Sequence, residues 1–179
     1  MENINEILNL DSKARIKKVS KGQILQRQGE LTSMAFFVKK GLIRSYSIDE
    51  KGKEHIFMFA SEGWITADLE SQEFNHSTEL FIDCLEDSEV LIFNRKCFTV
   101  SELSDGQLKK NAHLMARRIA VLQKRVIMLM SASAIDRYNY FLETYPELPN
   151  RVPQKMIASY LGIMPQTLST IRNKLARAK

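Results

Sequence analysis

Cysteine is scarce in this chain of 179 residues, which contains only Cys84 and Cys97. Two thiolates cannot by themselves hold an iron–sulfur cluster, and disulfide-stabilised domains generally contain more cysteine pairs. Both cysteines lie in apolar sequence context. We therefore expect two buried thiols, and neither a disulfide nor a metal site.

Long apolar runs are also missing. Charged residues interrupt the segment from Met1 to Asp11, so no signal peptide is expected there. Nothing later approaches the roughly 20 consecutive apolar residues that span a bilayer. These absences predict a cytoplasmic protein that has no membrane partner.

Catalytic motifs are the third absence. His55, His76 and His113 lie far apart, and the chain has no His-x-His, Gly-x-Ser-x-Gly, His-Glu-x-x-His or phosphate-binding glycine-rich loop. We therefore assign no catalytic residue, metal ligand or cofactor, and we expect that the protein is not an enzyme.

Charge is divided unevenly along the chain. Residues 1–107 contain 13 Lys and Arg against 18 Asp and Glu, whereas residues 108–179 contain 13 against 3. The overall net charge of +5 therefore hides an acidic half and a strongly basic half. A basic segment attracts phosphate, so a nucleic-acid partner is expected for the second half.

The first half has the pattern of a β domain. From residue 17 to residue 94, short runs rich in Val, Ile and Phe are separated by glycines, which is typical of a β-sandwich or barrel. The turn at 49–52 predicts a hairpin. Short helices are expected at 2–10 and 95–103. We expect strands near residues 16–19, 23–27, 34–39, 42–48, 54–59, 78–85 and 89–93.

The longest regular pattern predicts a pairing helix over residues 107–130. Its apolar residues recur with alternating steps of four and three, which is an a/d repeat sustained for about three heptads. A period nearer 3.5 than 3.6 residues favours pairing with a second copy, although packing on the chain's own β domain remains an alternative. The expected dimerisation residues are Leu108, Ala112, Met115, Ile119, Leu122, Val126 and Leu129.

The last part of the chain predicts a helix-turn-helix. Apolar residues recur at helical spacing over 157–161 and 168–175, on either side of Gly162. Ala158 is small enough for a close helix crossing, Gly162 allows a sharp turn, and Pro165 fits a first helical turn. A preceding helix containing Ile135, Tyr138, Phe141 and Leu142 is expected to form the hydrophobic floor.

The polar face of the second helix predicts contact with DNA, because its side chains can hydrogen-bond to bases and phosphates. A surface helical hairpin without a ligand is the alternative. We expect base contacts from Gln166, Ser169, Thr170 and Asn173. Phosphate contacts are expected mainly from Gln154, Lys155, Thr167, Arg172, Lys174 and Arg177.

This order of elements resembles the Crp/Fnr family of the cyclic-AMP receptor protein and the fumarate–nitrate regulator. The matching segments are 22–30, 37–44, 84–89 and 154–175, and the last is similar to compact members from Bacteroidetes-type bacteria. The resemblance implies an α+β fold. We expect an N-terminal double-stranded β-helix (a jelly roll of the cyclic-nucleotide-binding type) over 1–106, a dimerisation helix over 107–130, and a winged-helix-like helix-turn-helix domain over 131–179.

The chain departs from this family where its nucleotide-binding members hold the cyclic phosphate with a Gly-Glu pair and an Arg followed by Ser or Thr. Those positions fall on Ala67, Asp68, Thr78 and Glu79. A carboxylate near the phosphate opposes binding, whereas an arginine would favour it. We therefore expect a degenerate effector pocket that does not bind cyclic AMP. The cysteine cluster of oxygen-sensing members is absent too.

The DNA-binding end departs as well. Met164 stands where many relatives have Ser or Thr, and it cannot accept the N-cap hydrogen bond, a loss of about 1 kcal/mol. The chain stops at Lys179, so the wing is expected to be missing or very short.

Together these features predict a homodimeric, sequence-specific transcription regulator that binds a palindromic operator in double-stranded DNA and responds to an unidentified small molecule. The resemblance also allows RNA polymerase as a partner. The alternative function is a β-roll sensor that signals through protein partners and carries a vestigial helix-turn-helix.

Overall fold

Two antiparallel sheets form the first part of the chain. The computed structural model describes residues 15–93 and 104–177. The strands are β1 (Arg15–Val19), β2 (Ile24–Gln26), β3 (Ala35–Lys40), β4 (Ile43–Ile48), β5 (Glu54–Ala60), β6 (Ile65–Ala67), β7 (Phe81–Cys84) and β8 (Ser88–Phe93). One sheet has the order β1-β8-β3-β6 and the other β2-β7-β4-β5, so the predicted β-roll is confirmed.

The core of the β-roll lies between the sheets. Phe36, Val38 and Val90 of one sheet are buried together with Ile43 and Ile82 of the other. Alternate residues of a strand face opposite sides, so these side chains share one face of each sheet. The hairpin at 49–52 is confirmed by the hydrogen bonds between its residues.

Cys84 belongs to the same core, as predicted. Its thiol is free and buried. Burial, and secondly the nearby charge of Asp83, raise the pKa of this thiol to about 11. The thiolate is the reactive form of cysteine, so Cys84 is unreactive at neutral pH. Cys97 lies outside the described residues, as do the helices predicted at 2–10 and 95–103.

The region between β5 and β7 differs from the sequence prediction. A short strand, β6, and a one-and-a-half-turn helix, α1 (Leu69–Phe74), were not predicted. The strand predicted over 78–85 was too long, because β7 begins only at Phe81. The amides of Glu79 and Leu80, which a longer strand would use for pairing, donate to the Asp68 carboxylate instead.

Five helices follow in the second described range: α2 (Asp105–Ser131), α3 (Ala134–Thr144), α4 (Leu148–Arg151), α5 (Gln154–Leu161) and α6 (Pro165–Arg177). The chain divides into two compact units between Lys109 and Lys110, near the start of α2. The predicted boundaries at 106 and 130 remain predictions. Within the described ranges, no helix combines the length and apolarity needed to cross a membrane.

The second unit has its own core. Phe141, Leu148, Ile157 and Leu168 are almost completely buried, and α3 packs against both α5 and α6. The predicted floor helix is thus confirmed, with Phe141 at its centre. The short helix α4 was not predicted, and it has proline in its first turn, where a helix tolerates this residue.

Gly41 connects β3 to β4 where the backbone leaves no room for a side chain. Its φ is +98°, and an added Cβ would lie 2.7 Å from Ser88 Cβ and 2.8 Å from the Asp87 carbonyl oxygen. We expect Gly41→Ala to lower the free energy of unfolding by about 3 kcal/mol, because backbone strain and steric overlap add together. Urea denaturation measures this loss.

Gly52→Ala is the matched control. Gly52 also has a positive φ, +75°, but nothing lies within 4 Å of its added Cβ. Only the conformational strain remains, so the expected loss is about 1 kcal/mol. Equal losses in the two variants would contradict the proposed overlap at Ser88.

Candidate nucleic-acid interface and effector region

Helix α6 separates an apolar face from a polar one. Leu168 and Ile171 are buried, and Leu175 is half-buried. The predicted base and phosphate contacts lie on the remaining surface of α6. The exposed residues are Gln166, Thr167, Ser169, Thr170, Asn173, Lys174 and Arg177, and Arg172 is half-exposed. We call these eight residues the α6 polar row.

The turn between α5 and α6 has the predicted chemistry. Gly162 adopts the left-handed conformation at φ +64°. Its amide donates to the Ser159 carbonyl at 3.1 Å, and the Ile163 amide donates to the Ala158 carbonyl at 3.0 Å. These bonds form the usual glycine-terminated helix end. Ala158 is completely buried, as a close helix crossing requires.

The start of α5 exposes the other two predicted contacts, Gln154 and Lys155. Pro153 precedes them and provides no side-chain cap, and the first turn contains no acidic residue. The amides at a helix start carry partial positive charge, so this end can bind a phosphate. Lys155 adds a full charge beside it.

The Thr170 side chain has fewer free hydrogen-bonding groups than its residue type suggests. Its hydroxyl donates to the Gln166 carbonyl within α6 at 3.0 Å. The hydroxyl proton is therefore already used, which leaves the side chain a methyl group and acceptor lone pairs. A methyl group suits contact with thymine.

Helix α2 carries an exposed apolar stripe at the predicted dimerisation positions. Met115, Leu122 and Val126 are exposed, and Ile119 is 65% exposed. Ala112 is also exposed and Leu108 is half-buried. Exposed apolar side chains arranged in one stripe are typical of an interaction surface.

Leu129, at the end of the stripe, also lies close to Gly162. Its Cδ2 lies 3.4 Å from the position of an added Cβ on Gly162. This predicted dimerisation residue therefore also packs against the turn between α5 and α6.

The four predicted effector positions lie around the start of α1. Asp68 is only 3% exposed. Its Oδ1 accepts from the Ser71 amide at 3.1 Å, and its Oδ2 accepts from the amides of Glu79 at 2.9 Å and Leu80 at 3.3 Å. The carboxylate is therefore engaged by three backbone donors of its own chain.

Of the other predicted effector positions, Thr78 forms a hydrogen bond and Ala67 pairs with another strand within the β-roll, and Glu79 faces solvent. The Thr78 hydroxyl donates to the Arg27 carbonyl at 2.6 Å, and Ala67 pairs with Ala35 between β6 and β3. Glu79 is exposed. Asp68 and Thr78 thus serve the structure of the loop.

Comparison with known proteins agrees with this architecture. Residues 16–100 match the cyclic nucleotide-binding domain family. The chain is 26% identical to electron transport regulator A of Shewanella oneidensis over 98% of this chain and 75% of that protein. It is 24% identical to regulatory protein HlyX of Actinobacillus pleuropneumoniae over 97% of this chain and 77% of that protein. These relatives support the resemblance of the whole chain to Crp/Fnr regulators.

A solved structure supports the same fold. FixK2 from Bradyrhizobium japonicum superposes with a TM-score of 0.77 at 18% identity, covering 92% of this chain and 85% of that one. The similar proteins are named as regulators, which supports the prediction that this protein regulates transcription and is not an enzyme.

Two arginines of this chain form contacts that were not predicted from the sequence. Arg125 of α2 donates through Nη2 to the Tyr160 carbonyl at 3.3 Å, and its guanidinium lies 4.1 Å from the centre of the Tyr160 ring. Arg137 of α3 donates through Nη1 to the Leu161 carbonyl at 2.8 Å and through Nε to the Ala132 carbonyl at 3.2 Å. Their acceptors are backbone atoms, which no residue pattern identifies.

Aromatic rings fill the space beneath Arg125. The ring centre of Phe141 lies 5.6 Å from the ring centres of both Tyr145 and Tyr160. The two tyrosine rings meet edge to face, with their centres 6.0 Å apart. Burial, followed by the neighbouring Tyr160, raises the pKa of Tyr145 far above its usual value. Tyr145 is therefore neutral at any physiological pH and acts as a packing residue.

Asp68→Ala should weaken the β-roll. The amides of Ser71, Glu79 and Leu80 would lose their acceptor in a buried place, so we expect the free energy of unfolding to fall by about 3 kcal/mol. Thermal unfolding followed by circular dichroism measures the change. Glu79→Ala removes a carboxylate that is exposed, and its expected cost is at most about 0.5 kcal/mol. A stable Asp68→Ala variant would show that these hydrogen bonds contribute little.

Proposed function

We propose that this protein is a homodimeric transcription regulator of the Crp/Fnr type that reads a palindromic DNA operator with α6. The observation that carries the proposal is the α6 polar row, which is exposed while Leu168 and Ile171 anchor the opposite face. It lies in the half of the chain that contains 13 basic residues against 3 acidic ones. A positively charged helix with amide and hydroxyl side chains suits the major groove.

The α6 polar row divides by chemistry. The amide of Gln166 can pair bidentately with adenine, Asn173 can do so two turns further along the same face of α6, and Ser169 and Thr170 offer smaller contacts. Thr167, Arg172, Lys174 and Arg177 suit phosphates, together with Gln154 and Lys155 at the start of α5. We assign base reading to the first group and phosphate binding to the second.

The exposed stripe of α2 supports dimerisation. Two copies pairing through Met115, Ile119, Leu122 and Val126 would bury side chains that one copy leaves exposed. A twofold axis through the paired helices imposes a palindrome on the operator, with half-sites about one helical turn, or roughly 34 Å, apart.

We also propose that the effector is not cyclic AMP. The Glu79 and Leu80 amides and the Asp68 carboxylate satisfy each other, so a phosphate would have to displace an internal anion. Regulation of transcription takes place in the bacterial cytoplasm, where we place the protein. The proposed partners are double-stranded DNA, a second copy of the chain, RNA polymerase and an unidentified small molecule.

Gln166 and Lys174 should affect DNA binding in different ways. Gln166→Ala removes a base contact, so it should cost about 1–3 kcal/mol on an operator selected from a random library and little on random DNA. Lys174→Ala removes a phosphate contact, so it should weaken both and lower the salt slope by about one unit. Mobility-shift assays at several salt concentrations measure both effects.

Two outcomes would contradict this assignment. An asymmetric selected operator would argue against twofold recognition, and an unchanged preference of Gln166→Ala would leave α6 with phosphate contacts alone. If the wild-type protein binds no genomic fragment, the alternative of a β-roll sensor acting through protein partners becomes the better explanation.

Leu122→Lys should produce a monomer. Leu122 lies in the middle of the α2 stripe, and two lysines facing each other across a desolvated seam repel each other. Sedimentation velocity measures the association state, while circular dichroism should still report a folded β-roll. Val121→Lys is the matched control, because Val121 is exposed on α2 outside the a/d positions and its variant should remain a dimer. A dimeric Leu122→Lys variant would mean that the seam lies elsewhere.

A further inference from the structure

The carbonyl groups at the end of α5 accept hydrogen bonds from two different sources. The last four carbonyl groups of a helix have no partner inside the helix. In α5, the turn itself satisfies the first two, since the Ile163 amide donates to Ala158 and the Gly162 amide donates to Ser159. The remaining two carbonyls belong to the last two residues of α5.

Arginines from two other helices satisfy these remaining carbonyls. Arg125 of α2 donates to the Tyr160 carbonyl and Arg137 of α3 donates to the Leu161 carbonyl. Arg137 also donates to the carbonyl of Ala132, which follows the last residue of α2. One planar guanidinium therefore joins the end of the long helix to the end of α5.

We propose that Arg125 and Arg137 form an arginine clamp that fixes the helix-turn-helix on α2 and thereby determines which half-site spacing the dimer accepts. The two arginines are positioning residues, since they act on DNA only through α5 and α6. The inference rests on the proposed function, because half-site spacing has meaning only for a dimer that binds DNA through α6.

The clamp fixes the orientation of α5 relative to the end of α2. Water could satisfy part-buried carbonyls of this kind without ordering two long side chains, which costs conformational entropy. An arginine holds two acceptors in fixed geometry through its planar fork, whereas a lysine offers a single point charge. The bonds of Arg137 therefore restrict rotation of α5 relative to the end of α2.

A small rotation at the clamp causes a large displacement at the far end of α6, because α6 is long. Its 13 residues extend about 20 Å at 1.5 Å per residue. A rotation of about 10° at the clamp moves the far end by about 3.5 Å, which is close to one base-pair step. Loosening the clamp should therefore let the dimer accept half-sites one base pair closer together or further apart.

The test measures spacing preference with the full-length protein. Fluorescence anisotropy gives Kd for duplexes that contain two selected half-sites at the preferred spacing, or with one base pair inserted or deleted between them. We expect the wild type to prefer its own spacing by about tenfold, and Arg137→Ala to reduce this preference to about twofold. Arg137→Lys keeps the charge but loses the fork, so it should give an intermediate value and also guards against misfolding of the alanine variant.

Lys124→Ala is the matched control. It removes one positive charge from α2 next to Arg125, but Lys124 contacts the Tyr140 ring and not α5. Its spacing preference should equal that of the wild type. Base preference within each half-site and the salt slope should stay unchanged in the clamp variants. A folded Arg137→Ala variant that keeps the full spacing preference overturns the proposal, as does a uniform loss of affinity with a smaller salt slope, which indicates a direct phosphate contact.

Amide hydrogen exchange tests the clamp without DNA. The Gly162 and Ile163 amides close the end of α5, so Arg137→Ala should speed their exchange by about tenfold relative to both the wild type and Lys124→Ala. Unchanged exchange overturns the clamp. If the wild type binds no DNA but the exchange result is as expected, the proposed function fails, and with it the link to half-site spacing, while the clamp itself stands.

Discussion

The arrangement of the candidate DNA-binding surface depends on the burial of Leu168 and Ile171 against α5 and α3. A 13-residue helix is only marginally stable in water by itself. Most of α6 is polar, so these two side chains supply most of its attachment to the core, and removal of a buried leucine typically costs 2–5 kcal/mol. The position of every polar side chain on α6 therefore follows from an apolar contact on its opposite face.

A buried anion has a comparable role in the β-roll. Asp68 is one of the predicted effector positions, but its carboxylate already accepts three amide hydrogen bonds from Ser71, Glu79 and Leu80. An amide cannot donate fully to an internal carboxylate and to a ligand at the same time. The loop is therefore ordered by its own chain, and an effector that binds this β-roll would need a different set of donors or would have to displace Asp68.

The sequence predicted those helices and strands in which apolar residues recur at a regular spacing. The heptad spacing located α2 to within a turn, the 3.6-residue period located α5 and α6, and alternating apolar runs located most strands. It failed for β6 and α1, which are too short to show a period. Pairing with the distant β3 forms β6, and Asp68 connects the start of α1 to residues 11 and 12 positions later. A local pattern contains no information about such a contact.

The clamp arginines were missed for a related reason. Arg125 and Arg137 bind carbonyls that lie 35 and 24 residues away in sequence. A backbone acceptor has no residue identity, so no pairing of residue types could have indicated these bonds. From the sequence alone, both arginines are indistinguishable from the basic residues expected to bind phosphate.

Under the proposed function, one basic segment uses positive charge in two ways. Lys155, Lys174 and Arg177 are exposed and can release counterions when they meet phosphate. Arg125 and Arg137 are partly buried, and their donors are directed to helix carbonyls. Because direct contact governs the salt dependence of binding, while all charges contribute to the long-range field, net charge alone overestimates the number of phosphate contacts. A basic domain of this kind is better described by which of its cations have acceptors within the protein than by how many it has.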